Sequence, residues 1–221
     1  MRPRLLIDRA EVPDGGELRL YRRDADYSIM LGATELMNSR MSGSEEALAT
    51  LTCAPLAAAP APAVLIGGLG MGFTLRAALA LLPEEARVTV VELVPAVIDW
   101  ARGPMAEFHG NSLGDRRVEI VAGDVADRIR HSGGGYDAIL LDVDNGPDGL
   151  TRDANDRLYD ARGLGSAKAA LKPGGVLAIW SSAPDRSFSN RLRRAGFTVE
   201  EHVVRARGAK GGRHLIWLAR R

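Results

Sequence analysis

The 221-residue chain has very little cysteine and almost no lysine over most of its length. Cys53 is the single cysteine. It excludes an intramolecular disulfide and any cysteine metal cluster, and a lone thiol fits a reducing, cytoplasmic setting. No lysine occurs before Lys168. That removes nucleotide loops of the Walker A kind, which need a lysine and a hydroxyl after their glycines to meet phosphate and magnesium. The four histidines, His109, His131, His202 and His214, are scattered without metal-ligand spacing, so no metal is expected. Neither Ser181 nor Ser182 stands in G-x-S-x-G form, so that serine pair gives hydrolase chemistry no support. The first thirty residues lack the basic, apolar and small-residue succession of a signal peptide.

The stretch from Leu51 to Leu75 carries no charge, as a membrane span would. Pro55, Pro60, Pro62 and four glycines inside it rule out a continuous helix, so it reads as a buried strand flanked by loops. Net charge is +1, but the segment from Arg186 to Arg221 alone carries +8, leaving −7 elsewhere. That basic segment reads as a solvated helix and hairpin face, with RNA contact as its alternative.

Short β segments fill the first forty residues: Arg4–Asp8, Glu17–Arg23, Tyr27–Leu31 and Thr34–Asn38. Ser42-Gly43-Ser44-Glu45 has the spacing of a capping box that opens a helix. After the Ala/Pro linker Ala54–Ala63, apolar strands alternate with helices: Val64–Ile66, Arg87–Glu92, Val118–Ala122, Ala138–Asp142 and Val176–Ser181 are the strands. Phe197–Arg205 and His214–Ala219 read as a closing antiparallel pair. The pattern predicts an α/β fold, a Rossmann-like, doubly wound, seven-stranded and mostly parallel sheet. Residues 1–53 would form a small N-terminal β-hairpin region with a connecting helix, and 54–221 the nucleoside-binding domain.

The motif with chemical content is "VLIGGLGMGFTL", Val64 to Leu75. The dinucleotide fingerprint G-x-G-x-x-G fails, because its last glycine falls on Phe73 or its second on Leu69. What remains is G-x-G-x-G at Gly68, Gly70 and Gly72, the loop form that wraps a sulfonium nucleoside such as S-adenosylmethionine. Leu69 belongs to the same backbone wrap. Glu92 ends the next strand, where a carboxylate accepts hydrogen bonds from both ribose hydroxyls. Asp124 ends the third, where it can take adenine's exocyclic amine or merely cap a helix. Leu93 and Val125, beside these acids, complete the expected cofactor-binding set. Trp100, Trp180 and Trp217 fall on apolar faces and are expected in the core.

The segments "VELVPAVIDWARG", "GDV", "YDAILLDVDNGP" and "LKPGGVLAIW" resemble the polyamine aminopropyltransferases, the spermidine synthase-like family, over about residues 64–182. The resemblance implies a class I methyltransferase-type fold with an N-terminal β-hairpin region, in a dimer. It implies Glu92 on the ribose, Asp124 on the adenine and Asp142 as catalytic aspartate, binding the amine and receiving its proton. Asp144 in the following acidic loop and Tyr159 would lie beside the acceptor. Three departures stand out. Gly70 replaces the loop aspartate that holds the aminopropyl ammonium, Asn145 replaces a second acid, and "SGSEEALA" replaces a Tyr-His-Glu segment. Loop N–H groups freed of that aspartate should favour the carboxylate of intact S-adenosylmethionine. Methyl transfer to a small amine is therefore the leading expectation. Aminopropyl transfer from the decarboxylated donor is the alternative, and a non-catalytic nucleoside-binding module or an RNA-modifying enzyme are rivals.

Overall fold

The computed structural model describes residues 3–13, 15–143, 156–207 and 210–221. Strands β1 (Leu5–Glu11), β2 (Glu17–Arg23), β3 (Asp26–Leu31) and β4 (Thr34–Asn38) form an antiparallel meander in chain order. Two-residue loops join β2 to β3 and β3 to β4. Each starts on a left-handed residue, Asp24 (φ 56°) and Gly32 (φ 58°), which suits the right-handed twist of a hairpin. Alternation in β2 buries Leu18 and Leu20 and turns their neighbours outward.

Helix α1 (Gly43–Cys53) follows. No capping box forms: Ser42 makes no side-chain cap bond, and Glu45 instead accepts from the adjacent Ser44 hydroxyl at 2.6 Å. Sequence analysis groups this helix with the N-terminal region, but Leu48, Ala49 and Cys53 pack into the core of the α/β unit. The apolar stripe on α1 finds a larger complementary surface on the main sheet than on the meander.

The α/β unit runs β5 (Ala63–Gly67), α2 (Phe73–Leu81), β6 (Arg87–Glu92), α3 (Pro95–Arg102), α4 (Ala106–His109), β7 (Val118–Ala122), α5 (Val125–Arg130) and β8 (Tyr136–Leu141). It continues with α6 (Asp156–Tyr159), α7 (Ala161–Ala170), β9 (Leu171–Ser181), α8 (Arg186–Arg194), β10 (Thr198–Arg207) and β11 (Lys210–Arg220). Among the described residues these strands make a seven-stranded sheet in the order β10-β11-β9-β8-β5-β6-β7. The five strands β9, β8, β5, β6 and β7 are parallel, and the β10–β11 pair joins antiparallel to β9. Leu65, Ile66, Ile139 and Leu140 are fully buried, as central parallel strands covered on both faces require. One core lies under α1 and α2, the other under α7 and α8. Among the described residues no helix is long and apolar enough to cross a membrane.

A third apolar cluster joins the meander to α3, with Leu20, Ile29 and Trp100 at its centre. Two polar bonds fix the docking: the Trp100 indole N–H donates to Asp8 Oδ2 at 2.7 Å, and the Tyr27 hydroxyl to the Pro104 carbonyl at 2.5 Å. The meander is thereby held over the carboxyl end of the parallel strands.

Strand β5 pairs with β6 on one side and β8 on the other, so the chain leaves it at the point where the sheet order reverses. Ligands of open α/β sheets bind in the crevice at such a point. Here the loop must turn under another backbone. Gly68 has φ +89°, and a Cβ there would collide with the Asp142 carbonyl oxygen. Gly68→Ala should lower folding stability by about 2 kcal/mol or more, through left-handed strain plus the backbone clash. Gly114→Ala, whose methyl would meet nothing within 4 Å, should leave it nearly unchanged. Thermal unfolding of the two variants measures the difference.

Candidate nucleoside and acceptor site

The crevice at the ends of β5, β6, β7 and β8 is a cavity whose lining includes Gly68, Gly70, Glu92, Asp124 and Asp142, roofed by residues of the meander. Its floor is organised by one side chain. Glu92, 8% exposed, accepts the Leu69 N–H on Oε2 at 2.8 Å and the Val94 N–H on Oε1 at 2.9 Å. The N–H groups of Gly70 and Leu93 add to this cradle. Burial pushes the Glu92 carboxyl above its usual range, and the four N–H dipoles pull it back. The glycine loop is thus wound around a carboxylate of the protein itself. Gly68 N–H is also occupied, by the Val91 carbonyl at 2.9 Å, and Gly72 N–H by the Leu69 carbonyl at 2.8 Å. A carboxylate has about four lone-pair sites, so a diol on Glu92 would have to share them with these N–H groups.

Gly68, Gly70, Glu92, Leu93, Asp124 and Val125 line the cavity. Leu69 and Gly72 stand behind it. The Leu69 side chain belongs to the core under α1 and α2, and Gly72 opens α2 with its Cβ direction blocked by His109 Nδ1 at 2.6 Å. Sequence reasoning gave His109 no role, yet it is 1% exposed, and burial followed by the charge of Arg76 pushes its pKa down to about 4. A neutral imidazole in that place accounts for glycine at 72. Asp124 serves in two ways, accepting the Ala126 N–H at 2.7 Å as the cap of α5 while lining the cavity.

Asp142 follows β8 and is anchored through its backbone N–H to the Gly67 carbonyl at 3.0 Å. The Thr74 hydroxyl, in the first turn of α2, donates to Asp142 Oδ2 at 2.6 Å. Burial first, and then the negative charge of Glu45, raise the Asp142 pKa to about 7 against the opposing Thr74 bond. Glu45 lines the same cavity from the first turn of α1. Neither Glu45 nor Thr74 was singled out from sequence. In the sequence Glu45 reads as part of a capping box, and a threonine inside an apolar helical pattern carries no signal of its own. Trp180, expected in the core, is half-buried and forms part of the cavity wall. Its indole stacks on the His214 ring at 4.9 Å and 28°. Met37 of β4 also lines the cavity, with its thioether 2.9 Å from where a Cβ on Gly70 would sit.

Tyr159 lies elsewhere. It is 1% exposed, edge-on to Phe188 at 5.5 Å in the core under α7 and α8, and does not line this cavity. A helix as short as α6 cannot turn an aromatic toward the cavity while that ring fills the core. Asp144 and Asn145 lie outside the described residues. Among the described residues, no three His, Cys, Asp or Glu side chains gather to hold a metal ion.

The described lining of this cavity contains four carboxylates, Glu45, Glu92, Asp124 and Asp142, and no lysine, arginine or histidine. With one sign of charge in a partly enclosed space, it attracts cations and rejects anions.

Known proteins resemble this chain. A polyamine aminopropyltransferase of Sulfolobus acidocaldarius is 32% identical over 126 residues, covering 57% of this chain and 40% of that protein. Putrescine N-methyltransferase 4 of Nicotiana tabacum is 35% identical over 133 residues, covering 57% of this chain and 33% of that protein. The aligned part is therefore well under half the length of either relative. The crystal structure of spermidine synthase from Thermotoga maritima superimposes with a TM-score of 0.74 at 20% identity, over 97% of this chain and 72% of that one. At that identity the likeness establishes the fold, a Rossmann-like sheet beneath an N-terminal antiparallel one. The spermine/spermidine synthase domain matches residues 46–186, from the first turn of α1 to the start of α8. A match over more than half of the chain, on the same strands that build the cavity, means that the chain belongs to the spermine/spermidine synthase family.

Proposed function

We propose that the protein moves an aminopropyl group from decarboxylated S-adenosylmethionine onto a small amine. The observation that carries this reading is the sign of the cavity's charge. A decarboxylated donor is purely cationic at its reacting end, with a sulfonium and an ammonium and no carboxylate. Four acids and no described basic side chain in the lining suit it. The expectation of an intact donor rested on loop N–H groups being free for an α-carboxylate. Those of Gly68, Leu69 and Gly72 are taken by the protein, and that of Gly70 contributes to the Glu92 cradle. An α-carboxylate would enter an acidic cavity with few donors left to receive it. The curated aminopropyltransferase relative supports the same reading.

A sulfonium nucleoside supplies a carbon already activated by positive sulfur, so alignment is the larger part of the work left to the chain. Glu92 would hold the ribose diol, and Asp124 the exocyclic amine of adenine. An amine acceptor arrives protonated, and the nitrogen must lose a proton before it can attack. Asp142 would take that proton, and its raised pKa supports this role by making it a better base than an ordinary carboxylate. As the new C–N bond forms, the C–S bond breaks and its electron pair stays on sulfur, leaving a neutral thioether.

Methyl transfer from intact S-adenosylmethionine is the second reading. It is favoured by the absence of an acid at Gly70, where Met37 presents a thioether instead, and by the Nicotiana relative. Titration calorimetry separates the two. The decarboxylated donor should bind about tenfold tighter than the intact one, the effect of a ~1.4 kcal/mol penalty on one added negative charge. Tighter binding of the intact form would reverse the order. The mass gained by a diamine after incubation identifies the transferred group, and no gain with either donor would leave only a binding module.

Asp142→Asn should lower kcat/KM for the amine by about 10² to 10⁴, as loss of a general base does. The same variant tests the pKa in the free protein. Because the folded state holds this proton more tightly than the unfolded chain, Asp142 costs stability as pH rises from its ordinary 3.8 to about 7, and no further above that. The stability difference between wild type and Asp142→Asn should therefore grow across that window and then level off. Glu45→Gln removes the neighbouring charge that raises Asp142, and should move the upper edge of the window to lower pH. Chemical denaturation at a series of pH values measures both effects.

A further inference from the structure

One part of the cavity is left unused by the donor and by the proton transfer: its wall at the end of β9. Leu141 pairs with Ile179 in the parallel ladder, so Asp142 and Trp180 stand one step beyond that pair at the ends of adjacent strands. Trp180 lines the cavity and packs against the core under α1 and α2, the side from which Thr74 reaches Asp142. Its ring is not free to swing, because the His214 imidazole of β11 lies stacked against it at 4.9 Å. Glu45 stands near both: its charge acts on Asp142 and also on His214. A flat, fixed aromatic face thus adjoins two carboxylates at the exit of the strand that carries the base.

We propose that Trp180, held in place by His214, is the specificity-determining wall of the acceptor end, and that it sets the length of the amine the protein accepts. An indole face attracts an ammonium group and excludes nothing flat or flexible that merely passes beside it. It does block an acceptor chain that would continue through it. An amine lying between Asp142 and Glu45 meets the ring after a short methylene run. Longer amines have to displace an indole that is braced from behind. A smaller side chain at 180 would open that path and remove the aromatic contact together. The inference rests on the amine-transfer reading given above.

The test is kinetics over a series of linear diamines and triamines of increasing length, with donor saturating, for wild type, Trp180→Phe, Trp180→Ala and His214→Ala. Trp180→Ala should raise KM for the shortest good acceptor about tenfold and move the optimum toward longer amines. Trp180→Phe should stay near wild type, because an aromatic face remains. His214→Ala, which frees the indole without removing it, should broaden the length profile with little change in kcat. Donor affinity, measured separately by calorimetry, should be the same in all four proteins. An unchanged length profile in Trp180→Ala with donor affinity intact overturns the proposal. If Trp180→Ala unfolds, the His214→Ala profile decides in the same way. Failure of the wild type to bind either sulfonium donor would overturn the transfer reading, and the assignment of Trp180 with it.

Discussion

The Glu92 carboxylate is the constraint on which the site depends. A carboxylate removed from water needs several donors, and at the end of β6 they come from the backbone of the glycine loop and from the next turn. Satisfying Glu92 therefore fixes the path of Leu69 and Gly70. That path brings Gly68 under the Asp142 carbonyl and starts α2 at Gly72, with Thr74 in its first turn. From Thr74 the constraint passes to the side chain of Asp142. The glycines are needed because the loop is pressed from three sides, by Asp142, Met37 and His109, at residues with positive φ. A loop shaped by an internal anion also has fewer amides to offer an external one, and the charge preference of the cavity follows from the same arrangement.

Much of the architecture was legible because burial on both faces leaves a plain mark in sequence. Arg87–Glu92 and Val118–Ala122 coincide with β6 and β7, and alternation of strands with helices implies the parallel sheet. The acids that line the crevice were legible for a related reason, since a polar residue that closes an apolar run stands at the carboxyl end of a strand. Side-chain direction was not. The S-x-x-E spacing at 42–45 is a local pattern, whereas the place of Glu45 is decided by how α1 docks on the sheet, an interaction between distant parts of the chain. Trp180 packs against the core, but as the penultimate residue of β9, where its ring also meets the cavity. Glycine spacing likewise identified a wrapped loop without indicating that it wraps an acid of the protein.

The cavity combines two kinds of surface that sequence reading treats separately. Its acids come from the ends of β6, β7 and β8 and from α1, while the described residues of the meander contribute only apolar groups, among them Leu18, Ile29 and Met37. Hydrophobic cover over fixed negative charge lowers the local polarizability around any bound cation and strengthens its attraction to the acids. Two long-range bonds, from Trp100 to Asp8 and from Tyr27 to Pro104, hold this cover in place. The roof is thus part of the electrostatics, although its described residues bring no charge into the lining.

Strand β11 follows β10 in the chain yet lies inside it, paired with β9. Residues Lys210–Arg220 must therefore insert between two partners, and β10 can reach the sheet only through them. Trp217, fully buried in β11, makes that insertion strongly favourable. The imidazole that backs Trp180 arrives on this same strand. The wall at Trp180 is therefore braced by the hairpin that completes the sheet, whose described residues supply none of the cavity lining themselves.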